Sequence, residues 1–80
     1  MRLDKYLKAS RVIKRRTVAN EACDAGRVLV NGKAARASYE VKLGDVIEVA
    51  LGQRPVKLEV TGLNESPGKD VAAENYRVVE

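Results

Sequence analysis

Two spacings of apolar residues divide the chain. Up to Gly26 they recur every three or four positions; beyond it they recur every second position. Leu3 and Leu7 lie four apart with Tyr6 beside them, which predicts a short helix over residues 2–9, with Tyr6 at the edge of the core. Asp4 and Lys8 form an acid-first pair at helical spacing, and Asp4 sits where the helix dipole favours a carboxylate. Val18, Ala22 and Ala25, widened by Ala19 and Cys23, predict a second helix over about residues 15–25. These side chains are small, so the two helices can approach closely. Gly26 stands where a left-handed residue closes a helix.

The alternation then begins. Residues 27–30 read as a strand, and Asn31-Gly32 is the two-residue hairpin signal, because both central positions of a type I′ turn need positive φ. Residues 33–35 return along it. Leu43-Gly44-Asp45 makes another turn into a strand over residues 46–51, with Ile47, Val49 and Leu51 on one face. Residues 52–55 punctuate it, and residues 56–60 alternate cleanly as a further strand. Residues 64–70 form a Ser/Pro/Gly loop. Residues 71–75 suit one helical turn, and residues 76–79 a last short strand.

This order predicts an α+β fold, two packed N-terminal helices on a small, mostly antiparallel sheet. The division is residues 1–62 as the domain and residues 63–80 as a short tail packed on it. Eighty residues make one small domain with a modest core, which suits a binding surface better than a deep catalytic pocket. The chain has no His, so the commonest general base and metal ligand are absent, and Cys23 stands alone, which excludes an internal disulfide and a thiolate cluster. Cys23 reads as a small core residue rather than a reactive thiol. No nucleophile–base pair can be assembled, so no enzymatic role and no cofactor are expected. The N-terminus lacks the apolar stretch of a signal peptide, and no unbroken apolar run exceeds three residues; both fit a cytoplasmic protein that does not enter a membrane.

The net charge of +4 hides an asymmetry. Residues 1–42 hold eleven bases against four acids, a net +7, whereas residues 43–80 hold four against seven, a net −3. A domain basic on one side is suited to a polyanion; a solvated face and an anionic membrane are the competing explanations. The informative segment is Lys14-Arg15-Arg16-Thr17, at the start of the second helix. Helices disfavour bases in the first turn, by roughly 0.3–1 kcal/mol each. Bases make sense there when an anion completes the site, since free N–H groups at a helix start bind phosphate and Arg or Lys adds charge-assisted bonds. Thr17 could cap the helix or offer its hydroxyl to the same phosphate. The first helix, packed beside this start, would bring Arg2, Lys5 and Arg11 to the same face, with Lys8 at its edge. Asp4 cannot bind phosphate and would orient a neighbouring arginine.

Tyr6, Tyr39 and Tyr76 are the aromatic residues. No aromatic-rich strand and no GxxG loop is present, so recognition should rest on backbone phosphates and shape, with Tyr39 available to stack one base. This favours structured RNA over a DNA site, because the second helix offers Asn20, Glu21 and Asp24 on its exposed side and little to read base edges. Duplex DNA and a protein partner remain the rivals.

Arg2-Leu3-Asp4-Lys5-Tyr6-Leu7, Ser10-Arg11, Arg16 followed by Ala19, then Gly26-Arg27-Val28-Leu29-Val30-Asn31-Gly32-Lys33 and Leu43-Gly44-Asp45-Val46-Ile47 together resemble the S-four RNA-binding domain, over about residues 1–50. The resemblance implies the alpha-L arrangement of two helices on a sheet, with RNA on the helical face and Arg2 and Arg16 facing it. Among stand-alone members, the chain lacks the long basic extension of the fifteen-kilodalton heat-shock protein. Ile13-Lys14-Arg15-Arg16-Thr17 and Ala72-Ala73-Glu74-Asn75-Tyr76 are closer to the ribosome quality control group, RqcP. That likeness implies a monomer that binds large-subunit rRNA and peptidyl-tRNA on the large ribosomal subunit of split, stalled ribosomes. There it would assist C-terminal tailing of the nascent chain by its partner RqcH. A general ribosome-associated or heat-shock RNA-binding factor is the alternative.

Overall fold

The computed structural model describes residues 1–50, 55–63 and 75–79. The element order is α1 (Leu3–Ala9), α2 (Arg16–Asp24), β1 (Val28–Val30), β2 (Lys33–Ala34), β3 (Val46–Val49), β4 (Val56–Val60) and β5 (Tyr76–Val78). The strands form one sheet in the order β2-β1-β3-β4-β5, every neighbouring pair antiparallel. The α+β class and the two-helix, antiparallel-sheet arrangement hold. The strand expected over residues 46–51 ends at Val49, short of Ala50; Leu51, the 64–70 loop and residues 71–74 of the expected helical turn lie outside the described residues.

Local chemistry explains the elements. Asn31 at φ 53° and Gly32 at φ 85° place both turn residues in the left-handed region, and Val30 pairs with Lys33 across them. Gly26 at φ 79° ends α2 beyond its cap Ala25. The register puts Val28 opposite Val49, and Val30, Ile47 and Leu58 in one row, so one face of the sheet is apolar and buried. Leu3, Tyr6 and Leu7 of α1 and Ala19, Ala22 and Cys23 of α2 cover it.

Three expectations need correction. The buried stripe of α2 is Ala19, Ala22 and Cys23, while Val18 is 41% exposed and Ala25 is exposed too; the helix is turned so that its smallest side chains meet the core, which seats it close to α1. Tyr6 is not at the core edge but fully buried. Its hydroxyl donates to the carbonyl of Asn75, 69 residues away, and this partner lets a phenol sit in the core. Asp4 does not pair with Lys8; it turns towards α2.

Burial pushes the Tyr6 phenol up to about 12, so it remains a neutral donor across the physiological range. Tyr6→Phe is expected to lower stability by about 0.5–1.5 kcal/mol, the usual net value of one hydrogen bond, with the helix content unchanged. Urea denaturation followed by circular dichroism checks this; an unchanged midpoint would show that the bond to Asn75 contributes nothing. Cys23 is buried and its thiol is raised to about 11 by burial and the neighbouring Asp4 and Asp24, in keeping with a core residue rather than a nucleophile.

A candidate RNA interface around Asp4

The start of α1 is pinned from both sides. Leu3 N–H donates to the Tyr39 carbonyl at 2.8 Å, Asp4 N–H to the Ala37 carbonyl at 3.2 Å, and Val41 N–H to the Met1 carbonyl at 2.9 Å. Residues 1–3 therefore run beside residues 39–41, with a backbone bridge between Arg2 and Glu40. Arg2 is the extended N-cap of α1, and its side chain leaves the element in a fixed direction.

Asp4 is the hub. Its side chain is 2% exposed. It accepts the Lys5 N–H at 2.8 Å and the Asn20 amide at 3.2 Å. Arg2 Nε lies 3.3 Å from one oxygen and Arg16 Nε 3.4 Å from the other. Both arginine side chains remain about half exposed, at 50% and 46%. One buried carboxylate thus aims two cations at solvent and leaves the trio with one positive charge. Arg2, Asp4, Arg16, Thr17, Asn20 and Glu21 line an open hollow of 430 Å³.

The helix start beneath is uncapped. Arg15 is the N-cap of α2, with φ −121° and no side-chain hydrogen bond. The first-turn N–H groups lack intrahelical acceptors. Thr17 does not cap the helix; it lies one position inside and lines the hollow. The bases there are answered partly by Asp4, a carboxylate on the other helix, so the local cost to α2 is smaller than its own sequence suggests.

Of the expected site residues, the structure gathers Arg2, Arg16 and Thr17 around the hollow, with Asp4 as the residue that positions them. Lys8, Lys14 and Arg15 are exposed outside it, and among the described residues none of the three has a carboxylate partner. Lys5 is partly buried. Arg11 sits at the other end of α1, roughly 10 Å along the helix axis from Asp4 at 1.5 Å per residue, in the left-handed region at φ 60°. Sequence reasoning missed Asn20 and Glu21 as site residues. Asn20 lies one turn beyond Arg16 on the same face, the spacing that could have revealed it. Asp24 is exposed, as expected, and also accepts the Ala37 N–H at 3.3 Å.

A second carboxylate, Asp45, organises the hairpin side. It accepts Asn31 Nδ2 at 3.1 Å, the Tyr39 hydroxyl at 2.9 Å and the Lys42 N–H at 3.0 Å. Asn31 Oδ1 in turn accepts the Val46 N–H at 3.0 Å. For Asp4 and Asp45 alike, burial alone would raise the carboxyl pKa, but the hydrogen bonds each receives outweigh it and hold the group below its usual value. The unfolded chain then binds protons at a higher pH than the folded one. Stability should be complete above about pH 5 and fall as pH drops below 4 through the folded values. Urea midpoints at pH 7, 5 and 3 test this; Asp45→Asn should flatten part of the fall, and an acid limb unchanged in Asp45→Asn and Asp4→Asn would refute it.

The S4 domain model matches residues 1–47. The RQC P-site tRNA stabilizing factor of Halalkalibacterium halodurans is 49% identical over 98% of this chain and 89% of its own length. That of Bacillus subtilis is 48% identical over 100% and 93%. A trimeric structure of Vibrio cholerae heat shock protein 15 superposes with a TM-score of 0.92 at 30% identity, covering 99% of this chain and 81% of that one. The motifs around Arg2, Arg16 and the Asn31 hairpin fall within the matched stretch, and the chain belongs to the S4 domain family, alongside the RQC P-site tRNA stabilizing factors.

Proposed function

We propose that the chain is a non-enzymatic RNA-binding factor that docks on the large ribosomal subunit, against rRNA and the peptidyl-tRNA, and supports nascent-chain tailing on stalled, split ribosomes. It acts in the cytoplasm as a monomer, with RqcH as its protein partner. The observation that carries this reading is the pair of half-exposed arginine side chains held by buried Asp4 beside a helix start without a side-chain cap. Phosphate favours fixed cationic donors and free N–H groups; Arg2 and Arg16 line the hollow, and α2 begins at Arg16. Lys8, Arg11, Lys14 and Arg15 extend the positive surface around it, with Lys5 at the base of α1, and Thr17 offers a hydroxyl at its wall. The names of the relatives supply the P-site tRNA and the quality control setting. A phosphate-led interface also suits structured RNA, since a shallow cationic surface follows backbone shape rather than base edges.

The test is binding of the purified chain to large ribosomal subunits with and without P-site tRNA, across a salt series. Tighter binding to the tRNA-bearing subunit is expected, with a log–log salt slope of about −0.7 to −0.9 per phosphate contacted. Affinity independent of salt would favour a protein-interaction module, and equal or better binding to duplex DNA would sink the RNA reading. The similarity to heat shock protein 15 supports one second reading, a general heat-shock RNA-binding factor. That reading predicts the same affinity whether or not tRNA is present.

A further inference from the structure

An open groove of 710 Å³ lies between the β1–β2 hairpin and residues 35–39, within the ~300–1,000 Å³ range of small-ligand sites. Its walls include Asn31, Lys33, Ala35, Arg36, Ser38 and Tyr39; among the described residues no carboxylate lines it, the Asp45 carboxylate being engaged by Asn31 and Tyr39. Lys33 and Arg36 are exposed, and neither has an ion-pair partner among the described residues. Tyr39 is partly buried, and its hydroxyl is tied to Asp45, which fixes the ring at the wall. The groove is tied to the start of α1 through the backbone: the carbonyl of its wall residue Tyr39 accepts the Leu3 N–H, next in sequence to both Arg2 and Asp4 of the hollow.

We propose that this groove receives a single unpaired nucleotide of the RNA whose phosphates meet Arg2 and Arg16, a proposal that rests on the RNA-binding reading above. The base stacks against Tyr39, Lys33 and Arg36 take the flanking phosphates, and Ser38 supplies a hydroxyl within reach of the ribose. A paired base has its face covered by neighbours and cannot enter such a groove; an unstacked one can. Charge chooses the occupant. Two exposed cations without an ion-pair partner among the described residues, beside an aromatic ring whose hydroxyl is already engaged by Asp45, suit a nucleotide better than a protein segment.

The experiment compares a short RNA hairpin with the same hairpin carrying one additional, bulged uridine in its stem. The full chain is expected to bind the bulged hairpin more tightly. Lys33→Ala/Arg36→Ala should cost about tenfold on the bulged RNA and lower its salt slope by up to about 1.4, with a smaller change on the unbulged one. Tyr39→Leu should cost about fivefold or more on the bulged RNA alone. Tyr39→Phe, which keeps the ring and loses the Asp45 bond, should retain most of the preference. The lysine–arginine pair is exposed, so its variant keeps the test alive if Tyr39→Leu fails to fold. If these variants leave both affinities untouched while Arg16→Ala weakens both, the groove is not a nucleotide site and the RNA-binding reading stands. If the chain binds neither hairpin nor large subunits, both proposals fall together.

Discussion

Arg16→Ala is expected to weaken binding to the large ribosomal subunit by about 10–150-fold, the range of a lost charged hydrogen bond of roughly 1.5–3 kcal/mol. The side chain stands at the first position of α2, nearly half exposed, with Nε turned to Asp4 and the rest of the guanidinium left for a ligand. Its removal should hardly change folding stability, because two small terms oppose each other. A base at a helix start costs roughly 0.3–1 kcal/mol, and a part-exposed pair to Asp4 contributes roughly 0–1 kcal/mol. Helix-start charge taken by itself would give a slight gain in stability on this substitution; the Asp4 contact offsets it. Arg16→Lys keeps the charge but loses the planar fork, so an intermediate loss is expected. Arg2→Ala should behave similarly, and the double variant should fall short of the sum of the two, since both groups share one carboxylate. Binding isotherms at two salt concentrations, with thermal melts of the same samples, check all four variants. A folded Arg16→Ala protein with full affinity would show that the hollow is not the contact.

Asp4→Ala is expected to damage both properties. The carboxylate accepts a backbone N–H and the Asn20 amide while almost wholly buried, so its loss leaves two donors unsatisfied, at about 1–3 kcal/mol in total after relaxation. For a domain of this size that corresponds to a melting temperature lower by about 5–20 °C. Arg2 and Arg16 would also lose the anchor that fixes their direction. RNA affinity should therefore drop although the surface becomes more positive. A purely electrostatic interface would gain affinity from the same substitution, so the sign of the change decides between pre-organised donors and bulk charge. Nitrocellulose filter binding below the melting temperature of the variant provides that sign.

Much of this architecture is legible in the residues. The Leu3–Leu7 spacing, the Asn31-Gly32 turn and the alternation from Val56 to Val60 each select one local structure, because a single period or turn geometry fits them. What escapes is what depends on distance along the chain. Nothing near Tyr6 announces that its hydroxyl will meet Asn75, and nothing near Asp4 distinguishes a partner four residues away on its own helix from partners on another. The rotation of α2 escapes for a different reason. Val18, Ala19, Ala22, Cys23 and Ala25 form a broad, weakly apolar stripe, and packing against α1 decides which edge is buried. For the binding face, the cluster of bases is legible in the sequence, and so is an orienting role for Asp4; its burial and its reach across to Arg16 and Asn20 on the second helix are not.

The bond from Tyr6 to Asn75 has a consequence for how such a protein folds. The helix that carries the cationic face completes its burial through a residue 69 positions further along the chain. The helices can form from local contacts alone, but the seat of Tyr6 closes only when that distant segment docks, so the basic face matures with the slow long-range contacts rather than with the helices themselves.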